Sequence, residues 1–482
     1  MNAYEPVIGL EVHVELSTET KVFCGCSTRF GAEPNTQTCP VCLGLPGSLP
    51  VLNRKTLAYG LKVAMALHGN IASYIKFDRK NYFYPDLPKD YQISQYDLPL
   101  ATEGYLMIDA ESGKKKIRIR RVHLEEDTGK LMHPEGEAIS LLDFNRSGIP
   151  LLEIVSEPDL GTPEEAYAYA TFLKANLGYL NVSDCNMEEG SLRCDTNVSV
   201  RKRGDEALGT KVEIKNLNSF RAVKMSLQYE IARQTQALEE GKTLTQETRL
   251  WDTTRNRTFP MRSKEYAHDY RYFPEPDLVP FVLSKDEIEA IRKTLPELPE
   301  ERMGRFQKEY GLPSYDAKVL TSEKELSNYY EACVRLLKKP KLIANWVIGP
   351  VLEHLKDPRE VGHFAVSPER LAALLRFVEQ GEITQLAGKQ VLEIMVNTEE
   401  SPADIIRREN LGQIQDTALL DRYVLEAIQE NPRTVSDYHQ GKESAIMYLV
   451  GQVMKKTKGS ANPNKVNQLL KSKLEEAKNE IP

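Results

Sequence analysis

Carboxylate and imidazole side chains gather at the two ends of one stretch, residues 121–157, in a pattern that suits metal chemistry. These side chains are His123, Glu125, Glu126, Asp127, Glu153 and Glu157. Turn-forming sequences at Pro134–Gly136 and Ser147–Pro150 predict that the stretch folds back as two strands. So many carboxylates repel one another unless cations compensate them, and oxygen-rich ligand sets favour Mg²⁺. A pair of solvated acidic strand ends has the same pattern, so this stretch alone leaves both interpretations open.

Four segments of the chain alternate between apolar and polar residues, which predicts strands with one buried face and one polar face. The segments are GLEVHVEL, PLLEIVSEPD, LRCDTNVSV and TKVEIKNLN. Their polar positions carry Glu11, His13, Glu15, Glu153, Glu157, Arg193, Asp195, Asn197, Lys211, Glu213 and Lys215. An ordinary solvated sheet face more often carries Thr, Ser and Lys. The mixture of carboxylate, imidazole and cation therefore favours a catalytic face.

Four of the seven cysteines lie in two close pairs within CGCSTRFGAEPNTQTCPVC. Cys24 and Cys26 form a C-x-C pair, and Cys39 and Cys42 form a C-x-x-C pair. Four thiolates in two pairs are the ligand set of a tetrahedral Zn²⁺, and because no position stays open for water the predicted role is structural. Buried free thiols or a redox pair are the alternatives. The odd number of cysteines argues against a disulfide framework.

A segment at residues 76–100, KFDRKNYFYPDLPKDYQISQYDLPL, interleaves basic and aromatic residues. Basic groups hold phosphates and aromatic rings stack on bases, so the mixture suits a nucleotide or a single-stranded RNA end. A hydrophobic β-ribbon with a charged rim is an equal alternative. A second aromatic segment, KEYAHDYRYFPEPDLVPF at residues 264–281, is predicted to be an extended closing segment that could line a substrate cavity.

Length and composition describe a soluble globular protein. The chain has 482 residues, enough for two or three domains, each with its own core. No run approaches the roughly 18 apolar residues of a membrane span, and the start MNAYEPVIGLEV lacks the basic and apolar regions of a signal peptide. A cytoplasmic location is therefore predicted. The net charge of −7 means that any contact with RNA must be local.

The chain is predicted to have an α+β domain at residues 1–293, a helical domain at 294–405 and a helical tail at 406–482. Within the first domain, a helix is predicted over Pro163–Leu177 with Thr162 as N-cap and Gly178 as its end. Strand-like alternation gives way to helical periodicity beyond about residue 294. The tail carries Lys442, Lys455, Lys456, Lys458, Lys465, Lys471 and Lys473. Such a basic tail suits a grip on structured RNA, and a solvated helical tail is the alternative.

Taken together, the motifs closely resemble the B subunit of the bacterial aspartyl/glutamyl-tRNA(Asn/Gln) amidotransferase over the full length of the chain. They are GLEVHVEL, KFDRKNYFYPD, HLEED-x-GK, DFNRSG-x-PLLEIVSEPD, MEEGSLRCD-x-N, KNLNSF, DYRYFPEPDL and LVGQVMKKTKG-x-ANP. The resemblance implies a heterotrimer with an amidase, the A subunit, which releases ammonia from glutamine, and with a small C subunit. It also implies a first domain similar to the glutamine synthetase/guanidino kinase fold, and a tail that grips tRNA.

The implied reaction uses Mg·ATP to phosphorylate the Glu or Asp side chain on mischarged Glu-tRNA(Gln) or Asp-tRNA(Asn), after which channelled ammonia displaces the phosphate. By motif, the resemblance implies His13, Glu126 and Glu153 as ligands of Mg²⁺, with Glu11 beside them. Strand alternation favours Glu125 or Asp127 instead, unless a bulge intervenes.

Candidates for holding the phosphates of ATP, on charge and strand face, are Lys80, Arg193, Lys211 and Lys215. A non-catalytic scaffold that binds tRNA is the alternative function. A stand-alone phosphagen-type kinase is disfavoured, because such an enzyme has no use for the long helical and basic second half. The motifs do not distinguish Glu-tRNA(Gln) from Asp-tRNA(Asn) as the physiological substrate.

Overall fold

The computed structural model describes residues 3–111, 113–134, 136–263, 270–412, 417–457, 459 and 461–479. The chain divides into two compact units, Met1–Pro299 and Glu300–Pro482. The first unit is α+β, as predicted, and the second is helical. The finer division into three domains stays a prediction. Residues 264–269 of the predicted closing segment and Lys458 of the tail lie outside the described residues. Within the described ranges, no helix is both long and apolar enough to cross a membrane.

A nine-stranded sheet organises the first unit. The strands of this unit are β1 (Tyr4–Glu15), β2 (Asn70–Ile71), β3 (Tyr74–Ile75), β4 (Asp78–Asn81), β5 (Tyr91–Ser94), β6 (Ala101–Ala110), β7 (Gly113–Glu126), β8 (Lys130–Met132), β9 (Leu141–Asp143), β10 (Pro150–Ser156), β11 (Leu192–Lys202), β12 (Val212–Lys215), β13 (Glu247–Asp252), β14 (Arg257–Ser263), β15 (Phe273–Pro274) and β16 (Phe281–Val282). The large sheet has the order β14-β13-β12-β11-β1-β10-β7-β6-β2. Its neighbours are antiparallel except for the parallel pair β12 and β13.

Helices cover the apolar face of this sheet. They are α1 (Arg54–Ala66), α2 (Pro163–Leu180) and α3 (Phe220–Glu239), and the shorter α4 (Lys285–Arg292) follows later in the chain. Leu61 of α1, Leu173 of α2 and Leu227 of α3 are buried in one core with the apolar residues of the strands, such as Val12 and Ile154. The alternation of the strands therefore assigns their apolar side chains to the core and leaves the polar ones on the opposite face.

The helix α2 begins as predicted but ends later. The Thr162 side chain accepts a hydrogen bond from the Glu165 N–H, as an N-cap does. The helix continues through Gly178 to Leu180 and ends at Asn181, whose φ of 52° is left-handed. Tyr179 and Leu180 are buried in the core. Burial of two large side chains outweighs the cost of about 1 kcal/mol for a glycine inside a helix.

The second unit consists of helices around two cores. The helices are α5 (Pro299–Tyr310), α6 (Ser314–Leu320), α7 (Lys324–Leu337), α8 (Pro340–Trp346), α9 (Pro368–Glu379), α10 (Gln385–Asn397), α11 (Pro402–Arg408), α12 (Thr417–Glu430), α13 (Pro432–His439), α14 (Ala445–Lys456) and α15 (Pro463–Asn479). A π-helical turn at Val347–Val351 and 3-10 turns at Leu352–His354 and Pro358–His363 connect α8 to α9. One core joins α5 to α11, and the other joins α12, α14 and α15.

A half-buried ion-pair network joins α5 to α7 beside the first of these cores. The carboxylate of Glu331 accepts hydrogen bonds from Arg302, from Arg305 at 2.7 Å and from the Tyr310 hydroxyl at 3.0 Å. Burial alone would raise the pKa of Glu331, but the hydrogen bonds from Arg305 and Arg302 lower it to about 2. The network therefore stabilises the unit only while Glu331 is ionised.

Candidate active site

Four neighbouring strands place polar side chains in one row across the open face of the sheet. His13 of β1 lies opposite Glu153 of β10 and, on its other side, opposite Arg193 of β11. Glu153 in turn lies opposite His123 of β7. Residues paired directly across antiparallel strands project from the same face. The strand register therefore assembles side chains that are far apart in the sequence.

These side chains and their neighbours form a compact group, which we call the acidic cluster: Glu11, His13, His123, Glu125 and Glu153. The Nε2 of His13 lies 3.3 Å from Glu153 Oε2, 3.7 Å from Glu125 Oε1 and 3.8 Å from Glu11 Oε1. The Nε2 of His123 lies 3.5 Å from one carboxylate oxygen of Glu125 and one of Glu153. Donor atoms of His13, Glu125 and Glu153 all lie within 4.8 Å of one another. This spacing allows one cation to contact all three.

Protonation of His13 compensates part of the negative charge of the acidic cluster. Burial alone would lower the pKa of His13, but the hydrogen bond to Glu153 and the charges of Glu153, Glu125 and Glu11 raise it to about 9. Burial alone would raise the pKa of Glu153, but the charge of His123 and the hydrogen bond with His13 hold this pKa well below its usual value. Burial and repulsion from Glu153 raise the pKa of Glu11. Arg121 adds further positive charge, since its Nη2 lies 3.3 Å from Glu153 Oε1. Three carboxylates gathered at this spacing form an oxygen-rich set that suits a divalent cation.

Glu126, the ligand implied by the resemblance, does not join the acidic cluster. β7 runs regularly through its last residues, so Glu125 shares a face with His123 and Glu126 projects from the other face. The Glu126 carboxylate pairs with the Lys89 ammonium and accepts a 2.8 Å hydrogen bond from the Ile93 N–H. The structure therefore brings Glu125 rather than Glu126 into the acidic cluster, because the bulge that would turn Glu126 inward is absent at this point of β7. Which glutamate binds a metal stays a prediction.

Two other predicted residues also lie away from the cluster. The sheet register shifts between Val155 and Ser156, and Glu157 beyond this shift pairs with Arg120 instead, at 3.0 Å between Oε1 and Nε. Lys211 is exposed and stands before β12. Lys211 and Lys215 are an even number of residues apart and so belong to the same face of an extended chain. Four residues of extended chain span about 13 Å, however, and Lys211 does not line the cavity.

The acidic cluster opens into a cavity of ≈ 800 Å³, a volume within the range of nucleotide-sized sites. Three of the four predicted phosphate-binding residues, Lys80, Arg193 and Lys215, line it together with the cluster. Burial alone would lower the pKa of Lys80, but the charge of Glu125 raises it above its usual value. Lys80 therefore stays charged at neutral pH. Tyr82, Tyr96, Tyr270 and Tyr272 contribute an aromatic side to the same cavity.

Sequence reasoning missed several partners of these cations. The Nζ of Lys215 lies 2.6 Å from Asp195 Oδ2 and 3.7 Å from Glu213 Oε1. The guanidinium of Arg193 hydrogen-bonds the buried carboxylate of Asp127. Asp195 and Glu213 occupy polar positions of the alternating segments, so their face was predictable. Glu213 lies two residues before Lys215 on β12, but the pairing of Asp195 with Lys215 depends on the register between β11 and β12, for which the sequence carries no local signal.

The four predicted cysteine ligands lie together between β1 and α1. Their sulfur atoms are all within 4.8 Å of one another. A tetrahedral ion with Zn–S bonds of about 2.3 Å needs sulfur atoms about 3.8 Å apart, so the group fits such an ion. The Lys21 Nζ, on a fully buried side chain, lies 3.6 Å from Cys42 Sγ. The hydrogen bond with Cys24, together with that ammonium, lowers the pKa of Cys42 to about 4, and the same hydrogen bond raises the pKa of Cys24 above its usual value. The thiolate of this pair is therefore on Cys42.

Comparison with known proteins finds matches along nearly the whole chain. A family model described as the GatB/GatE catalytic domain matches residues 6–289, and another described as the GatB domain matches residues 328–474. The B subunit of the aspartyl/glutamyl-tRNA(Asn/Gln) amidotransferase of Caldanaerobacter subterraneus subsp. tengcongensis is 56% identical over 472 residues, 98% of this chain and 99% of that protein. The B subunits of the same enzyme from Carboxydothermus hydrogenoformans and Moorella thermoacetica are 54% and 55% identical, over 98% of this chain and 99% and 100% of theirs.

Proposed function

This chain belongs to the family of B subunits of the aspartyl/glutamyl-tRNA(Asn/Gln) amidotransferase, and we propose that its acidic cluster is the site where the side-chain carboxylate of a mischarged tRNA is activated and amidated. The amidotransferase is a glutamine-hydrolysing ligase complex of which this chain is a part. Its substrate is Glu-tRNA(Gln) or Asp-tRNA(Asn), and its product carries Gln or Asn. The observation that carries the proposal is the convergence of the acidic cluster and four cationic side chains on one cavity, namely Lys80, Arg121, Arg193 and Lys215.

Activation is needed because a carboxylate offers ammonia no usable leaving group. In the proposed first step a carboxylate oxygen of the substrate attacks the γ-phosphorus of ATP, and the bond to the β,γ-bridging oxygen breaks to release ADP. In the second step ammonia attacks the carbonyl carbon of the acyl phosphate. Phosphate leaves with the bonding electron pair, and the nitrogen loses a proton to give the amide. The ammonia comes from the glutaminase of the complex.

The side chains of the cavity are suited to these charges. Lys80 and Lys215 are held in their charged forms by Glu125 and Asp195 respectively, against the effect of burial. Together with Arg193 they offer positive charge to the phosphates of ATP, which carry more negative charge than the substrate carboxylate. Such groups act by position and electrostatics, which account for most of the catalysis of phosphoryl transfer.

The acidic cluster is the proposed Mg²⁺ site, with His13, Glu125 and Glu153 as ligands and Glu11 beside them. Carboxylate oxygens predominate in this set, as hard divalent cations prefer. When bound, Mg²⁺ neutralises charge on the transferring phosphoryl group. His13 must be neutral to act as a ligand, so its raised pKa means that the cation and a proton compete for the same nitrogen. The cysteine group is proposed to hold a structural Zn²⁺, because four thiolates leave no position for a reactant.

The rest of the chain is proposed to bind the other components. The first unit is proposed to share its fold with glutamine synthetase and the guanidino kinases, and to contact the amidase and the small third protein of a heterotrimer. The tail, residues 406–482, is proposed to bind tRNA through the lysines of α14 and α15. Lys456 contributes least to this, because its Nζ lies 2.7 Å from Glu430 and 3.2 Å from Glu426. The reaction is proposed to take place in the cytoplasm, alongside translation.

Replacement of Glu153 tests the proposal. In the reconstituted complex, Glu153→Gln should abolish ATP-dependent amide formation on the mischarged tRNA, because Glu153 touches both imidazoles of the acidic cluster. Glutaminase turnover and affinity for tRNA should stay within about twofold, since neither depends on this cluster. Normal amide formation by the variant would instead favour the scaffold function, in which a partner protein carries out all the chemistry.

A further inference from the structure

Three tyrosines form a group at one side of the active-site cavity. The ring of Tyr96 lies parallel to that of Tyr272, with centroids 4.2 Å apart and planes 13° apart. The ring of Tyr270 meets Tyr272 edge-on, at 6.3 Å and 75°. All three line the cavity that holds the acidic cluster. Tyr96 is 46% exposed, so the stack ends in an accessible aromatic ring rather than in the core.

The backbone holds these rings in place. β15 pairs with β4 at Phe273, and the Asn81 side chain donates a 2.8 Å hydrogen bond to the carbonyl of Arg271, which lies between the two neighbouring tyrosines. Arg271 has a φ of 43°, a left-handed conformation that costs energy for a residue other than glycine. The Tyr96 N–H donates to Asp78 Oδ2 at 3.1 Å, again on β4. Both halves of the stack are therefore anchored on one strand.

We propose that this stack, Tyr96 with Tyr272, binds the adenine base of a nucleotide, which stacks as a third ring on the exposed face of Tyr96. Base-on-aromatic stacking needs an exposed, pre-positioned ring face, which Tyr96 supplies. Lys80, whose Nζ is 5.0 Å from the centre of the Tyr270 ring, lines the same cavity as the tyrosines and the acidic cluster. A nucleotide stacked on the tyrosines would thus have a cation available for its phosphate or ester end.

The inference rests on the proposed function for the identity of the nucleotide. Both substrates of the proposed reaction carry an adenosine: ATP, and the 3′-terminal nucleotide to which the amino acid of an aminoacyl-tRNA is esterified. The chemistry that the stack recognises is the same in both. A purely structural aromatic group would bury its outer ring, as the core tyrosines Tyr169 and Tyr179 are buried.

Two double-mutant cycles distinguish the sources, using equilibrium binding to the assembled complex. One compares Mg·ADP with Mg·pyrophosphate, and the other compares tRNA transcripts with and without their 3′-terminal adenosine. Each ligand pair is measured on wild type, Tyr96→Leu, Tyr96→Phe and Tyr84→Leu. Tyr84 is the matched control, because it belongs to the same aromatic segment and is 43% exposed but does not line the cavity.

In one of the two cycles, loss of the adenosine should weaken binding to wild type by about 5- to 100-fold, the usual range for one stacked base. In Tyr96→Leu the same loss should change affinity by less than about twofold, whereas Tyr96→Phe and Tyr84→Leu should behave as wild type. Coupling in the ADP cycle assigns the stack to ATP, and coupling in the tRNA cycle assigns it to the aminoacylated end.

Absence of coupling in both cycles would overturn the proposal, and so would equal coupling for Tyr84→Leu. If Tyr96→Leu does not assemble, Tyr272→Leu removes the ring that supports Tyr96 and should reduce the contribution of the adenosine in the same cycle. Because only binding is measured, a wild-type complex that forms no amide would refute the proposed function without obscuring these cycles.

Discussion

The adjacent residues Glu125 and Glu126 offer the sharpest test of the active-site geometry. Replacing each by Gln removes one negative charge with almost no change of shape. Glu125 lies in the acidic cluster with His13 and Glu153, whereas Glu126 projects from the opposite face of β7 and pairs with Lys89. The two substitutions should therefore act on different properties, Glu125→Gln on catalysis and Glu126→Gln on stability.

The magnitudes follow from the two environments. Two unit charges about 4 Å apart, at the effective dielectric constant of about 20 that fits partly solvated protein sites, interact by about 4 kcal/mol. Since about 1.4 kcal/mol corresponds to a factor of ten, Glu125→Gln should lower Mg²⁺-dependent amide formation by about 10³-fold. Glu126→Gln leaves the ammonium of Lys89, on a side chain only 7% exposed, without its carboxylate. An uncompensated buried charge costs about 3–5 kcal/mol of folding free energy.

The assay is amide formation on preformed Glu-tRNA by the reconstituted complex at saturating ATP, measured across a range of Mg²⁺ concentrations. Unfolding of each full-length variant by urea gives the stability. Raised Mg²⁺ should partly restore Glu125→Gln and should not restore Glu126→Gln. The reasoning is refuted if Glu126→Gln loses activity by 10³-fold at unchanged stability while Glu125→Gln keeps its activity within tenfold.

Three further outcomes are expected. Glu331→Gln should destabilise the second unit by about 2 kcal/mol at pH 7, and this difference should vanish as the pH falls from about 4.5 towards 2. The sign follows because the pKa of Glu331 is lower in the folded state than in the unfolded state. The stabilisation is therefore complete above the unfolded-state pKa and is lost as the pH falls through the folded-state pKa; urea unfolding measured as a function of pH tests this. Cys42→Ser should release the proposed Zn²⁺, measured by elemental analysis of purified chain, and lower the melting temperature by several degrees; equal zinc content in both proteins would exclude this site. Lys215→Ala should raise the KM for ATP by about tenfold or more, whereas Lys211→Ala, which alters a residue outside the cavity, should leave it within twofold; equal effects would remove Lys215 from the phosphate site.

The sequence predicts most reliably the features that depend on the local alternation of apolar and polar residues, such as which face of a strand is buried. The alternation of β1 and β11 correctly assigns Val12 and Cys194 to the core and His13 and Arg193 to the polar face. The same rule favours Glu125 over Glu126, and the regular course of β7 agrees with it. Transfer of the family motif pointed to Glu126, because adjacent glutamates cannot be told apart by motif unless the strand geometry is known.

Features that depend on contacts between residues far apart in the sequence cannot be predicted from the local sequence pattern. Helix α2 is predicted to end at Gly178 but continues to Leu180, because burial of Tyr179 and Leu180 in the core outweighs the helix-ending preference of the glycine. Lys211 has the same parity as Lys215 but precedes β12, and only the three-dimensional extent of the cavity shows that it lies outside the lining. Likewise, the pairing of Lys215 with Asp195 requires the register between two strands that a single sequence does not specify.

The central position of β1 has a consequence for how the chain matures. This strand lies between β10 and β11, so His13 meets Glu153 and Arg193 only after most of the first unit has been synthesised. Contacts so distant in sequence form late, because the entropy of closing a long loop opposes them. A ribosome-bound chain that ends before β10 therefore lacks the acidic cluster, and the proposed Mg²⁺ site arises only with the completed sheet, whereas the four cysteines lie in the part of the chain synthesised earlier.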